Sequence, residues 1–205
     1  MVATALLALM LTADWPTIVK PLTDQTVRIE AQIDTEQETA HWLCSGVVID
    51  ADRGYVLTAA HCVNRPPTAV LTLTINRKHA TLIKENRLLD IAVLQFDAKG
   101  EKAITLAETV PMTGEEVALV GFAYGRKQLY VQIGRVALPT DEDGRFVVDV
   151  TTIRGDSGGP LINARGELVG IVSAIEYSGG YLGSAVALDT VRSFVKAYLP
   201  KAKTP

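Results

Sequence analysis

Cysteine, histidine and aromatic side chains are scarce in this 205-residue chain, which has two cysteines, three histidines and an aromatic share of 6%. Cys44 and Cys62 are too few for a closed thiolate zinc site, and nothing else offers the paired ligand spacing such a site uses. No thiolate metal site is therefore expected. Long apolar runs are also missing. The longest, Met1 to Ala13, is shorter than the roughly 20 residues that span a bilayer, so no stable membrane span is expected. Blocks of like charge are absent and the net charge is −3, which argues against nucleic acid as a partner. The basic pairs Arg77-Lys78 and Arg126-Lys127 are short and read as solvated loop residues.

What is present describes a packed protein. Apolar residues make up 48% and charged ones 21%, which excludes a disordered chain. The length allows one or two units with a sizeable core. The two cysteines read as a disulfide, as two free thiols or, least well, as half of a metal site. A disulfide closing this loop would contribute about 3 kcal/mol and imply an oxidising compartment. The stretch Met1–Ala13 resembles the apolar core of a secretory signal cut after Ala13, although it lacks the usual Lys or Arg at its start. A truncated membrane anchor reads alike. A secreted or periplasmic location is expected.

Short β-branched runs separated by turn residues fill most of the chain. They include 26–31, 46–49, 70–75, 91–94, 116–120, 129–133, 145–150 and 168–172, several with period two, and Asp141-Glu142-Asp143-Gly144 reads as a hairpin turn. Strands at this spacing predict an all-β sandwich or barrel. One helix is expected from Asp189 to Leu199, with Val191, Phe194, Val195 and Tyr198 on one face, Asp189 as N-cap and Pro200 as stop. A seam near Glu101 to Gly114 divides the chain into lobes over 14–107 and 108–205.

Chemistry concentrates in three segments. Arg154-Gly155-Asp156-Ser157-Gly158-Gly159-Pro160-Leu161 sets a serine in a glycine-rich turn between apolar runs. Such a turn exposes a hydroxyl and aims backbone N–H groups at one spot, as acyl transfer requires. A serine is a weak nucleophile without a base, and His61, in Leu57-Thr58-Ala59-Ala60-His61-Cys62, is the candidate. Asp90 opens the apolar run Ile91-Ala92-Val93-Leu94, where an unpaired carboxylate is costly to bury, so it is the candidate partner of His61. Asp50 and Asp97 are weaker candidates, and His41 and His79 read as surface histidines.

The order His, Asp, Ser and these motifs resemble the trypsin-like serine proteases, in particular their compact bacterial HtrA-like branch. The resemblance runs from Thr17 to Leu199. It covers Gly54 to Cys62, Ala80-Thr81-Leu82-Ile83 with Asp90 to Leu94, Gly114 to Phe122, Gly155 to Leu161 and Gly166 to Ser173. It implies two six-stranded antiparallel β-barrels with a C-terminal helix, forming one peptidase domain. It also implies a disulfide between Cys44 and Cys62 and chemistry without a metal or an organic cofactor; the PDZ module common in that branch is not expected, having no room after Leu199. The implied function is serine endopeptidase action on proteins or peptides. Ser157 would be nucleophile, His61 general base and Asp90 its orienting partner, with the N–H groups of Gly155 and Ser157 as oxyanion hole.

The implied specificity residues are Thr151, Ile175 and Gly183, and Ser173 would either orient the triad or hold substrate backbone. Thr151 lies six positions before Ser157, at the base of the family pocket, and is no acid, so cleavage after Lys or Arg is not expected. Val172 stands where Glu-specific relatives carry histidine. Small or medium apolar side chains are the expected preference. Asp156 matches the aspartate that pairs with a new N-terminus in digestive zymogens, but Thr17-Ile18-Val19-Lys20 lacks the activation sequence. Another partner for Asp156, an arginine or backbone amides, is expected, and no zymogen step. The rival readings are a latent trypsin-fold binding module and an esterase on the same scaffold.

Overall fold

The apolar runs form strands because most are buried on both faces, as a strand closed into a barrel and packed against a second barrel must be. A computed structural model describes residues 13–140, 145–175 and 182–199, except the side chains of Ala174 and Ile175. Twelve strands are seen among them: β1 (Thr26–Asp34), β2 (Thr39–Asp50), β3 (Tyr55–Thr58), β4 (Val70–Ile75), β5 (Lys78–Asn86), β6 (Ile91–Phe96), β7 (Glu116–Gly121), β8 (Tyr130–Leu138), β9 (Arg145–Val148), β10 (Pro160–Asn163), β11 (Leu168–Ile175) and β12 (Gly183–Ala187). They close into two six-stranded barrels, in the orders β1-β2-β3-β6-β5-β4 and β10-β11-β12-β9-β8-β7. Every pairing within them is antiparallel.

Period-two alternation sorts the side chains into three cores. Val48 of β2 points into the first barrel with Ile29, Val56, Ile75 and Leu94. Its neighbours Val47 and Ile49 point the other way and pack between the barrels with Leu57, Val93, Val120, Ile162 and Ile171. Leu119 of β7 faces the second barrel's interior beside Phe146, Val148 and Leu161. Closure removes the open edges of both sheets. Register shifts lie in five strand pairs, β2–β3, β5–β6, β8–β9, β10–β11 and β11–β12, at positions where extra residues let a sheet bend.

The segment between β6 and β7 is strapped to both barrels. Lys102 N donates to Asp24 O at 2.7 Å, Ile104 N to Val48 O at 2.8 Å and Ala107 N to Leu168 O at 3.0 Å. Two helices are described, the short α1 (Trp15–Val19) and α2 (Leu188–Val195). The expected helical face is correct: Val191, Phe194 and Val195 enter the core between the barrels, with Tyr198 beside them. The expected bounds are not. The capping position falls on Ala187, which offers no side-chain bond, and Asp189 lies within the first turn, paired with Arg192 at 3.2 Å. The helix ends at Val195, about a turn early. Arg53, held by Asp50 at 2.7 Å, draws the carbonyls of Tyr198 and Leu199 onto its guanidinium at 2.9 and 2.8 Å. The expected hairpin turn at 141–144, most of the leader-like stretch and Pro200 lie outside the described residues.

Candidate active site

β3 delivers the candidate base. It ends at Thr58, and the 3-10 turn Ala60–Val63 follows. Ala59, Ala60, Cys62 and Val63 are buried, so the turn caps the barrel with its small side chains. The His61 side chain stays outside, 43% exposed. A disulfide joins Cys44 of β2 to Cys62 and ties this turn down. The thiol and metal alternatives for the pair are thereby closed. The ligand atoms of Cys44, His61 and Cys62 lie within 4.8 Å of one another, but both sulfurs are bonded to each other.

Asp90 precedes β6 with φ 53°, a left-handed value that a non-glycine residue adopts only where its surroundings hold it. Those surroundings are hydrogen bonds. Its carboxylate accepts from His61 N at 2.8 Å, lies 2.9 Å from His61 Nδ1, and accepts from Ser173 Oγ. Burial pushes this carboxyl up, but the bonds from His61 and Ser173 outweigh burial and hold it below the usual carboxylate range. Arg145 Nη1 donates to Ser173 Oγ at 2.5 Å. A hydroxyl that accepts from a guanidinium keeps its one proton for the carboxylate. Ser173 thus steadies Asp90.

The serine turn is held by partners on all sides. Asp156 N donates to Ile153 O at 3.0 Å, Gly158 N to Val172 O at 2.7 Å and Ser45 N to Ser157 O at 2.8 Å. Gly155 has φ +100°, and a Cβ there would stand 2.3 Å from Phe122 O, so only glycine fits. The carbonyl of Arg154 accepts from Tyr124 N at 2.6 Å. In a trans peptide the N–H opposes the C=O, so the Gly155 N–H faces away from Tyr124. Among the described residues, neither that N–H nor the Ser157 N–H has an acceptor. Two unengaged donors beside a serine are what an oxyanion site requires.

His61, Ser157 and Gly155 line one groove of about 1020 Å³, which runs past Leu43, Tyr124 and Arg154 over the outside of the first barrel. The Ser157 hydroxyl donates to Ser173 O at 3.4 Å, a long bond, and not to His61. Thr151, Ser173 and Gly183 do not line this groove. Thr151 is exposed, with its carbonyl accepting from Gln132 Nε2 at 2.6 Å. Gly183 packs against Thr152, the residue after Thr151, and a Cβ on it would lie 2.9 Å from Thr152 Cγ2. Ile175 ends β11, and its side chain is outside the description.

Asp156 is fully buried. Backbone is its partner: Ile153 N donates to Oδ2 at 3.1 Å, while Oδ1 has none among the described residues. Burial pushes its carboxyl up to about 6. Sequence reasoning missed Ser45, Thr152 and Tyr124. Thr152 is buried beside Gly183, and its hydroxyl has no partner among the described residues. A serine in a strand and a tyrosine in a loop carry no signal until the fold brings them to the serine turn.

Residues 44–171 match the description of the trypsin-like peptidase domain. The chain is 33% identical over 161 residues to the probable periplasmic serine endoprotease DegP-like of Buchnera aphidicola subsp. Schizaphis graminum, covering 74% of this chain and 34% of that protein. It is 32% identical over 165 residues to the periplasmic serine endoprotease DegP of Escherichia coli K12, covering 76% and 35%. It therefore spans about a third of these relatives' length. The crystal structure of the serine endoprotease from Yersinia pestis superposes with a TM-score of 0.74 at 24% identity, over 91% of this chain and 66% of that one, a likeness of fold. The match covers both the histidine turn and the serine turn, and on that ground the chain belongs to the trypsin-like peptidases.

Proposed function

We propose that this chain is a serine endopeptidase acting on proteins or peptides outside the cytoplasm. The observation that carries the reading is the Asp90–His61 couple, closed at 2.9 Å, opening onto the groove that holds Ser157 and the free Gly155 N–H. In this reading His61 takes the Ser157 proton through Nε2 as the serine oxygen adds to the substrate carbonyl. The oxyanion that forms is met by the Gly155 and Ser157 N–H groups. His61 then protonates the leaving amine, and a water repeats the sequence to release the acyl group. Asp90 stays ionised and fixes the imidazole. The lobes 14–107 and 108–205 work as one unit, each supplying half of the site. Thr151, Ile175 and Gly183 would form a pocket without an acid, suited to small or medium apolar side chains. The relatives named periplasmic and the Cys44–Cys62 disulfide support an oxidising location.

The experiment is fluorophosphonate labelling at neutral pH beside Ser157→Ala. Labelling that vanishes in the variant is expected. Folded, oxidised protein that does not label would sink the reading. The second reading, a latent binding module on this fold, draws on the Ser157 hydroxyl bonding to Ser173 O and not to His61. A hydroxyl so engaged must rotate about its one side-chain torsion before attack, and absence of labelling would favour this reading.

A further inference from the structure

The Gly155 N–H serves an oxyanion only while both peptide groups flanking Gly155 keep one orientation. Glycine at φ +100° does not hold itself there, because it has other conformations of similar energy. The Arg154–Gly155 peptide is held by Tyr124 N. The next peptide, Gly155–Asp156, is held on its N–H side within the turn, by Ile153 O, and on its carbonyl side from the other barrel. Ser45 sits in β2, fully buried, and its Oγ donates to Gly155 O at 2.6 Å. The same oxygen accepts from Phe122 N at 2.8 Å. Its backbone N donates to Ser157 O at 2.8 Å, and its carbonyl accepts from Thr58 Oγ1 at 2.8 Å. Every polar group of this residue is engaged. Three of its four bonds cross between barrels.

We propose that Ser45 is a positioning residue of the serine turn: its hydroxyl clamps the Gly155 carbonyl to the Phe122 amide and so keeps the Gly155 N–H turned toward the substrate. This rests on the hydrolase reading of Ser157. Ser45 touches no reacting atom and acts through the turn. Removing the hydroxyl strands a buried carbonyl and a buried N–H together. The turn escapes that penalty by rotating the Gly155–Asp156 peptide, which disorders the oxyanion donor beside it.

The test compares native protein with Ser45→Ala in two measurements. In the first, peptide turnover should lose about 10- to 100-fold in kcat, less than outright loss of a donor, with KM within about twofold. Affinity for a peptide boronate, which mimics the tetrahedral state, should fall in step with kcat, while affinity for the product acid holds. A purely structural role would lower the unfolding temperature and leave that ratio unchanged. In the second, amide hydrogen exchange at Asp156, whose hydrogen-bonded N–H lies in the peptide that rotates, should quicken in the variant and stay unchanged at distant strands. Where Ser45→Ala does not fold, Ser45→Gly carries the same measurements. Native kcat and native exchange in the variant would overturn the proposal. A native protein that fails to react, with exchange still quickened by the substitution, would overturn the hydrolase reading and leave the clamp standing. An unreactive native protein with unchanged exchange would overturn both.

Discussion

Two aspartates near the serine turn are pushed in opposite directions. Asp90 is buried but receives hydrogen bonds from His61 N, His61 Nδ1 and Ser173 Oγ, so it stays ionised below the usual range. Replacing it by Asn keeps the shape, but lets the imidazole take the wrong tautomer. Asp90→Asn should cost roughly 10³–10⁴-fold in kcat, read from peptide hydrolysis, with little change in fluorescence-detected folding. Asp156 is buried with one engaged oxygen, and its carboxyl rises from the ordinary 3.8 to about 6. The folded state then binds the extra proton between about pH 4 and 6. The contribution of Asp156 to stability is therefore highest below the unfolded value and declines as pH rises through that window. Asp156→Asn should lack this decline and be the more stable protein at pH 7 to 8. Urea unfolding of both proteins from pH 4 to 8 checks it, and parallel curves would contradict it. Asp90 acts with the opposite sign, losing its contribution as pH falls through its depressed value, and is common to both proteins.

At the scale of elements, the histidine turn depends on covalent restraint as well as packing. The Cys44–Cys62 disulfide closes a loop with a sequence separation of 18 and joins β2 to the turn bearing His61. Chain-entropy reasoning gives it about 3 kcal/mol, or about 6–12 °C in unfolding temperature for a chain of this size. Calorimetry with and without reductant should show that loss, and an unchanged temperature would mean the turn is held by packing alone. The strand runs were legible where apolar residues were continuous: 70–75 matches β4, and 91–94 grows only to Ile91–Phe96. The continuous apolar run of β2 spans four residues whereas the strand has twelve, because its first half, Thr39 to Leu43, alternates exposed and half-buried residues and pairs with β1 through its backbone. The helix stops at Val195, short of the expected Leu199, and the carbonyls of Tyr198 and Leu199 beyond it bond to Arg53, which lies 145 and 146 residues earlier in the chain.

At the scale of the whole molecule, the candidate site exists only because the barrels share a core. His61 and Asp90 belong to the first barrel, and Ser157 and Ser173 to the second. Leu57, with no exposed surface, sits between the barrels beside Val120, Ile171 and Val195. Leu57→Ala should cost about 2–5 kcal/mol and lower one cooperative unfolding transition. Two separate transitions in the scan would show that the barrels unfold independently.

Local chemistry marked the residues from the sequence alone. A serine among glycines, a histidine after small residues and an aspartate opening an apolar run are signals carried by adjacent residues. Two barrels followed from the resemblance that those motifs carry. The clamp was different. Ser45 and Gly155 are 110 positions apart, and no neighbour of Ser45 in the chain distinguishes it from any other strand serine. Tertiary structure decided that its hydroxyl meets the serine turn, that Asp156 finds a backbone amide and no arginine among the described residues, and that the groove runs over the first barrel. Hydrogen bonds reach about 3 Å and depend on which strands close which barrel. Only the folded chain contains that information.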